Sequence, residues 1–377
     1  MTKHEQGDCV LKKVLYIGWI GYKNLGDELM FDLFKERFLQ LGEKYKLDTV
    51  NNEYRYLKNI NVQPYDLVVL GGGSLLSGGQ QMVLPYIIDF LHQALLLNKK
   101  ILIWGSGIDW APKEFIERLE KNREIPLPVS NDFKNKVKTV FEESVWAGVR
   151  GPLTYEILRR FGVSEKLHIS GDPGFLMNLQ DIRDDEKIVP DVRLTNHEKI
   201  VGVNWGTSYN NIYGKNEIAV ENQLADALNQ LTKQGYLVYL FTVWGADVES
   251  IQRLYHKLHD KESVIFDQKL YNHNELMSIM QHLTFTINFK LHASYISLAA
   301  QVPFVALGYR FKVFDFVKSV ELDDYIISTD DQKLTEQLLH LEAEIGKHRE
   351  TIVNKMKGYQ SLYTDRVNLP FENKLYL

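Results

Sequence analysis

The sequence predicts two α/β domains of the doubly wound, Rossmann-like kind, facing each other across a cleft. Three observations lead there. Short apolar runs alternate with amphipathic segments along nearly the whole chain, as strands and helices do when they take turns in mostly parallel sheets. At 377 residues the chain is too long for one ordinary core and suits two domains of roughly 100–200 residues each. The alternation also breaks once, between Asn178 and Glu198.

Val14-Leu15-Tyr16-Ile17 reads as a buried strand ending at Gly18. Leu29 to Leu41 reads as a helix with Met30, Phe34, Phe38 and Leu41 on one stripe and Gly42 as its stop. Strands follow at Asp66 to Leu70, Ile101 to Trp104, Val145 to Val149 and Leu167 to Ser170, with helices at Pro85 to Leu97 and Leu153 to Phe161. The charged, aperiodic stretch Gln180 to Lys187 before Pro190 is the expected interdomain linker. The domains are therefore expected at 1–178 and 199–350, with a linker at 179–198 and a C-terminal tail at 351–377.

The second domain's strands are read at Ile200 to Asn204, Tyr236 to Phe241, Val264 to Phe266, Phe285 to Asn288 and Pro303 to Leu307. Its helices are read near Val220 to Leu231, Val248 to Leu258, Asn274 to Gln281 and Leu291 to Ala300. A last long helix, about Gln332 to Met356, leads to an aromatic tail with Tyr359, Tyr363, Phe371 and Tyr376.

Composition narrows the function. The chain is 45% hydrophobic and 25% charged, ordinary for a globular protein, with a net charge of −5. Such a balance offers no basic footprint for nucleic acid, and an anionic substrate would need a local cluster of cations. The single cysteine, Cys9, cannot form an internal disulfide, which suits a reducing compartment. No signal peptide is visible, and the apolar runs are about 6–8 residues against the roughly 20 needed to span a bilayer. A cytoplasmic location is expected, with membrane association at most peripheral. No His, Cys or Asp cluster has metal-ligand spacing, so no metal or cofactor is expected.

Doubly wound sheets bind ligands at the carboxyl ends of their strands. The loop Gly18 to Glu28 there is glycine-rich but has neither dinucleotide nor Walker spacing. Its Asp27 and Glu28, at a helix start, either cap the helix or repel phosphate and so favour a hydroxyl-rich ligand such as a sugar. Gly71, Gly72, Gly73 and Ser74 follow the next strand, a tight turn able to present backbone to a ligand. Arg150, before Gly151-Pro152, reads as a carboxylate or phosphate clamp or as a structural ion pair. Asp172 either holds sugar hydroxyls or makes an Asx turn.

Lys290 and His292 stand at a predicted helix N-terminus of the second domain, where the dipole already favours an anion. Arg310 and Lys312 lie at the next strand end and either join them on one anion or form a solvated basic face.

In this order, these loops resemble the polysaccharide pyruvyl transferase family. The resemblance rests on the glycine-rich strand end running into Asn24-Leu25-Gly26-Asp27, on Asp66 to Gly73, and on Arg150-Gly151-Pro152 through Phe161-Gly162-Val163 with Asp172-Pro173 following. Its most diagnostic part is Lys290-Leu291-His292, Val302-Pro303 and Tyr309-Arg310-Phe311-Lys312. It spans roughly Val14 to Leu322, with Lys290 where the family usually has Arg.

The resemblance implies a GT-B-like fold whose C-terminal helix packs back on the first domain. It also implies transfer of pyruvate from phosphoenolpyruvate to two hydroxyls of a sugar, forming a ketal in a cell-surface polysaccharide or its precursor, the acceptor being a nucleotide sugar, a lipid-linked intermediate or a polymer. The anionic donor then belongs with Lys290, Arg310, Lys312 and Arg150. The acceptor belongs on the first domain with Asn24, Gly72, Gly73, Ser74 and Asp172. His292 is the expected general acid and Asp27 the base. A nucleotide-sugar glycosyltransferase of GT-B type is the alternative, and a non-catalytic sugar- or anion-binding protein a further one.

Overall fold

The computed structural model describes residues 12–22, 24–40, 45–79 and 81–374. Cys9, Leu41, Gly42 and Tyr376, named above, lie outside them. The described chain forms two six-stranded, wholly parallel sheets flanked by helices.

The first sheet holds β1 (Lys12–Gly18), β2 (Tyr45–Asn51), β3 (Leu67–Leu70), β4 (Lys100–Ser106), β5 (Trp146–Val149) and β6 (Leu167–Ile169), ordered β2-β1-β3-β4-β5-β6. The second holds β7 (Ile200–Asn204), β8 (Leu237–Phe241), β9 (Val264–Phe266), β10 (Phe285–Asn288), β11 (Phe304–Gly308) and β12 (Ile326–Ser328), ordered β12-β11-β10-β7-β8-β9. The central strands are apolar runs because helices cover both faces: β3, β5, β7, β8, β10 and β11 are buried at every residue.

Two strands escape the sequence pattern, and both are edge strands. Tyr45–Asn51 mixes polar and apolar residues and is mostly half-exposed, so it lacks the continuous apolar run that marks its neighbours. Ile326–Ser328 is three residues long. The helices Lys113–Glu120, Asn131–Glu143 and Phe311–Ser319 also went unmarked. The last of these corrects the reading around Lys312, which sits in a helical first turn with Arg310 as the N-cap, rather than in a strand end.

The last helix runs from Leu334 to Glu372 with a break at His348, so Tyr359, Tyr363 and Phe371 of the aromatic tail are helical. Its final turns lie on the first domain. Trp104 Nε1 donates to Val367 O at 3.0 Å, Thr364 Oγ1 to Phe175 O at 2.9 Å, and Phe371 packs edge-on to Phe34 and Trp104. Residues 179–198 form short turns and one four-residue helix, Arg193–Asn196.

Each sheet reverses its strand order once, between β1 and β3 and between β7 and β10. Ligands of such sheets sit where order reverses, at the carboxyl ends. The loops after β1, β3, β7 and β10 therefore meet across the domain boundary. At that boundary the loop after β1 also touches the loop after β8: Leu25 N donates to Val243 O at 3.2 Å, and Asn24 bridges to Trp244.

Candidate active site

Between the domains lies a cleft of about 680 Å3. Of the candidate residues, it is lined by Asn24, Asp27 and Ser74 from the first domain and by Lys290, His292, Arg310 and Lys312 from the second.

The loop after β1 delivers Asp27. Asn24 caps the helix Leu25–Leu39, its side chain accepting from Gly26 N at 3.1 Å, so Asp27 falls in the first turn. From across the boundary, the helix Leu291–Ala299 delivers His292. The two helix ends meet at Gly26, where a Cβ would stand 1.7 Å from His292 Nδ1. Only glycine permits that approach. Gly73 has φ +95°, and a Cβ there would stand 3.4 Å from Asp27 Oδ1, so the turn after β3 passes under the same carboxylate.

The cations are held, each by a carboxylate. Arg310 Nη1 lies 2.6 Å and Lys312 Nζ 2.9 Å from Asp109, on the loop after β4. Lys290 Nζ lies 3.1 Å from Asp247, bonds to Thr207 O and sits 5.0 Å from the centre of the Trp244 ring. Burial opposes the charge on Lys312, but Asp109 and Tyr309 favour it and the net shift is upward. Burial would likewise raise Asp109, yet Lys312 and Arg310 pull it well below the usual carboxylate range. Neither carboxylate partner was identified from the sequence, since both pairings are tertiary. The available signals were weak: Asp109 follows Gly105-Ser106-Gly107, and Asp247 lies in the loop after β8.

Proton affinities at the centre run opposite to ordinary values. Burial pushes Asp27 up to about 7, with Lys312 opposing and Asp172 and Asp109 adding to the rise. Burial, then Lys312 and Arg150, push His292 down to about 3. His292 Nε2 is buried and makes no hydrogen bond. At neutral pH the imidazole is therefore neutral, while Asp27 titrates near pH 7.

Besides Gly73, three candidates are absent from the cleft lining. Arg150 is fully buried, giving hydrogen bonds to Ser74 Oγ at 3.1 Å and Ile108 O at 2.7 Å. The anion at the Pro152 helix start is Asp315 of the second domain, which accepts from Leu153 N at 2.8 Å and Thr154 N at 3.2 Å and lies 3.9 Å from Arg150 Nε. Of the two readings of Arg150, clamp or structural ion pair, this geometry fits the ion pair: a side chain already supplies the anion, and Arg150 supports Ser74 from beneath. Asp172 is also fully buried and forms an Asx turn, accepting from Gly174 N at 2.9 Å. Gly72 packs against Pro173 and Met30, away from the lining.

The family model for polysaccharide pyruvyl transferases matches residues 24–310, which hold every candidate residue except Lys312. The chain belongs to the polysaccharide pyruvyl transferase family. It is accordingly a transferase. Among curated proteins, none matches this chain. Solved structures similar to it include S. aureus MnaA with UDP, at 12% identity, 97% of both chains covered and a TM-score of 0.61. The alpha,alpha-trehalose 6-phosphate synthase of Burkholderia multivorans is similar at 9% identity, covering 97% of this chain and 96% of that one, with a TM-score of 0.58. Anabaena HepE with UDP and glucose gives 10%, 97% and 99% coverage, and 0.55. At such identities the likeness is one of fold: two Rossmann-like domains of GT-B type, as this family's motifs imply here. Among the described residues no helix is long and apolar enough to cross a membrane.

Proposed function

We propose that this family member transfers the pyruvate of phosphoenolpyruvate onto two hydroxyls of a sugar in a cell-surface polysaccharide or its precursor, forming a ketal. The observation that carries the reading is the cluster Lys290, Arg310 and Lys312, with His292 on the same wall, facing Asp27 across the cleft. Phosphoenolpyruvate brings a phosphate and a carboxylate, and a wall with three cations suits both. Its entry displaces Asp109 from Arg310 and Lys312.

The donor's charge also changes His292. An anion beside the imidazole favours its protonated form and counters the burial and the two cations that depress it. His292 then protonates the methylene carbon, leaving an oxocarbenium-like centre for the first hydroxyl to attack. Asp27, titrating near 7, accepts the hydroxyl proton. Phosphate leaves, and the second hydroxyl closes the ketal. Of the two hydroxyl protons, one balances the proton placed on the methyl carbon and the other leaves on phosphate. Water exclusion and alignment come from the two walls meeting.

The test is phosphate release from phosphoenolpyruvate by the purified protein with a panel of saccharides. Product mass should rise by one pyruvate less one water. The structural neighbours crystallised with UDP make a nucleotide-sugar glycosyltransferase the reading to exclude. Release of UDP from a UDP-sugar, with no turnover of phosphoenolpyruvate, would establish that reading instead.

A further inference from the structure

The two walls of the cleft differ in charge and in kind. Among the described residues of the first domain that line it, none is lysine or arginine, while Asp27, Glu53 and Asp109 are carboxylates. Arg55 pairs with Glu53 at 2.7 Å but does not line the cleft. The cations are all on the other wall.

Aromatic rings extend from this first wall to the surface. Trp19 lines the cleft, stacks on Tyr22 at 4.9 Å and meets Trp244 edge-on at 6.2 Å. The Tyr22 hydroxyl donates to Glu53, whose neighbour Tyr54 meets Tyr86 at 5.7 Å. Tyr86 lines the cleft, and Tyr54 is 59% exposed. Within this patch Asn52 is 8% exposed and faces the cleft, and its Oδ1 accepts no hydrogen bond. A buried acceptor without a donor is costly, and a ligand hydroxyl would relieve it.

A pyranose has an apolar C–H face and a rim of hydroxyls. Aromatic faces take the first, and amide and carboxylate oxygens take the second. A diphosphate finds no lysine or arginine on this wall among the described residues, and it would face carboxylates where water is scarce. Across the cleft it would compete with the donor for the same three cations.

Resting on the function proposed above, we propose that the first wall binds an uncharged sugar chain of at least two units, so that the acceptor is a saccharide chain and not a nucleotide sugar. The terminal sugar meets Asn52 and Trp19, and the next unit lies over Tyr86 and Tyr54.

The test uses the full chain and follows binding by tryptophan fluorescence and turnover by phosphate release. The probes are methyl glycosides of glucose, galactose and N-acetylglucosamine, their di- to tetrasaccharides, and the three UDP-sugars. In at least one series, affinity should rise from monosaccharide to disaccharide. Tyr54→Ala should weaken the disaccharide roughly 3- to 10-fold and the methyl glycoside much less, and Tyr54→Phe should restore it. The proposal is overturned if a UDP-sugar supports turnover better than any chain, if no uncharged probe binds, or if Tyr54→Ala weakens both lengths equally. A phosphoenolpyruvate-induced rise in melting temperature is recorded in parallel. Its presence beside a failed acceptor test sinks this inference alone, and its absence sinks the proposed function.

Discussion

The loop after β1 and the loop after β10 occupy matching places at the switch points of their sheets, yet they bring opposite chemistry to the cleft. The first brings Asn24 and Asp27 beside aromatic rings, and the second brings Lys290 and His292. One fold, used twice, has become two half-sites through its loops alone. Asp109 reaches across from the first domain to Arg310 and Lys312, so the half-site for anions is closed by a carboxylate of its neighbour.

The sharpest way to break this comparison is at the point where the halves touch. His292→Gln should cost roughly 10²- to 10⁴-fold in kcat while phosphoenolpyruvate still raises the melting temperature. Retained turnover would remove the imidazole from the chemistry. Asp27→Asn should cost about 10²-fold and flatten the pH profile. With Asp27 raised to about 7, its base form appears as pH rises, so wild-type kcat at saturating donor, where the bound anion favours the proton on His292, should climb as pH rises through about 7.

The same group gives a stability test with a fixed sign. A carboxyl whose folded pKa is raised favours the fold below its unfolded pKa, near 4, and that contribution is lost as pH rises through about 7. Asp27→Asn should therefore be more stable than wild type at pH 8, by on the order of a few kcal/mol, with the difference vanishing toward acid. Denaturant melts at both pH values would decide it.

Smaller effects sharpen the comparison further. Gly26→Ala adds a methyl where His292 stands and should lower kcat about 10-fold or more, even though alanine is the better helix former. Asp109→Asn should bind inorganic phosphate several-fold more tightly. Without phosphate it should melt lower, because two cations lose their partner, and added phosphate should recover part of that loss. The smallest change is expected for Lys290→Arg. The fork suits a carboxylate, but Thr207 O and Asp247 already fix this position, so donor affinity should shift only a few-fold.

The fold was legible wherever burial is complete. β1, β3 and β4 are written as apolar runs, whereas β2 and β12 lie at sheet edges where half-exposure or shortness erases the signal. The candidate site was legible where chemistry follows a strand directly, as with Asp27, Lys290 and His292. It was not legible where a side chain's direction depends on a contact made in the folded chain. Arg150 ends its strand as expected, but Asp315, distant in sequence, supplies the nearby anion, and the arginine turns beneath the floor. Asp109 and Asp247 pair with residues far along the chain, which no local pattern announces.

The central claim is that an anionic donor occupies the second-domain wall while the first wall takes no part in holding it. Thermal titration with phosphoenolpyruvate tests it most directly, in wild type, Arg310→Gln and Trp19→Ala. The account predicts a rise in melting temperature for wild type and Trp19→Ala that is lost or strongly reduced in Arg310→Gln. A rise that survives in Arg310→Gln but disappears in Trp19→Ala would place the donor on the opposite wall and contradict it.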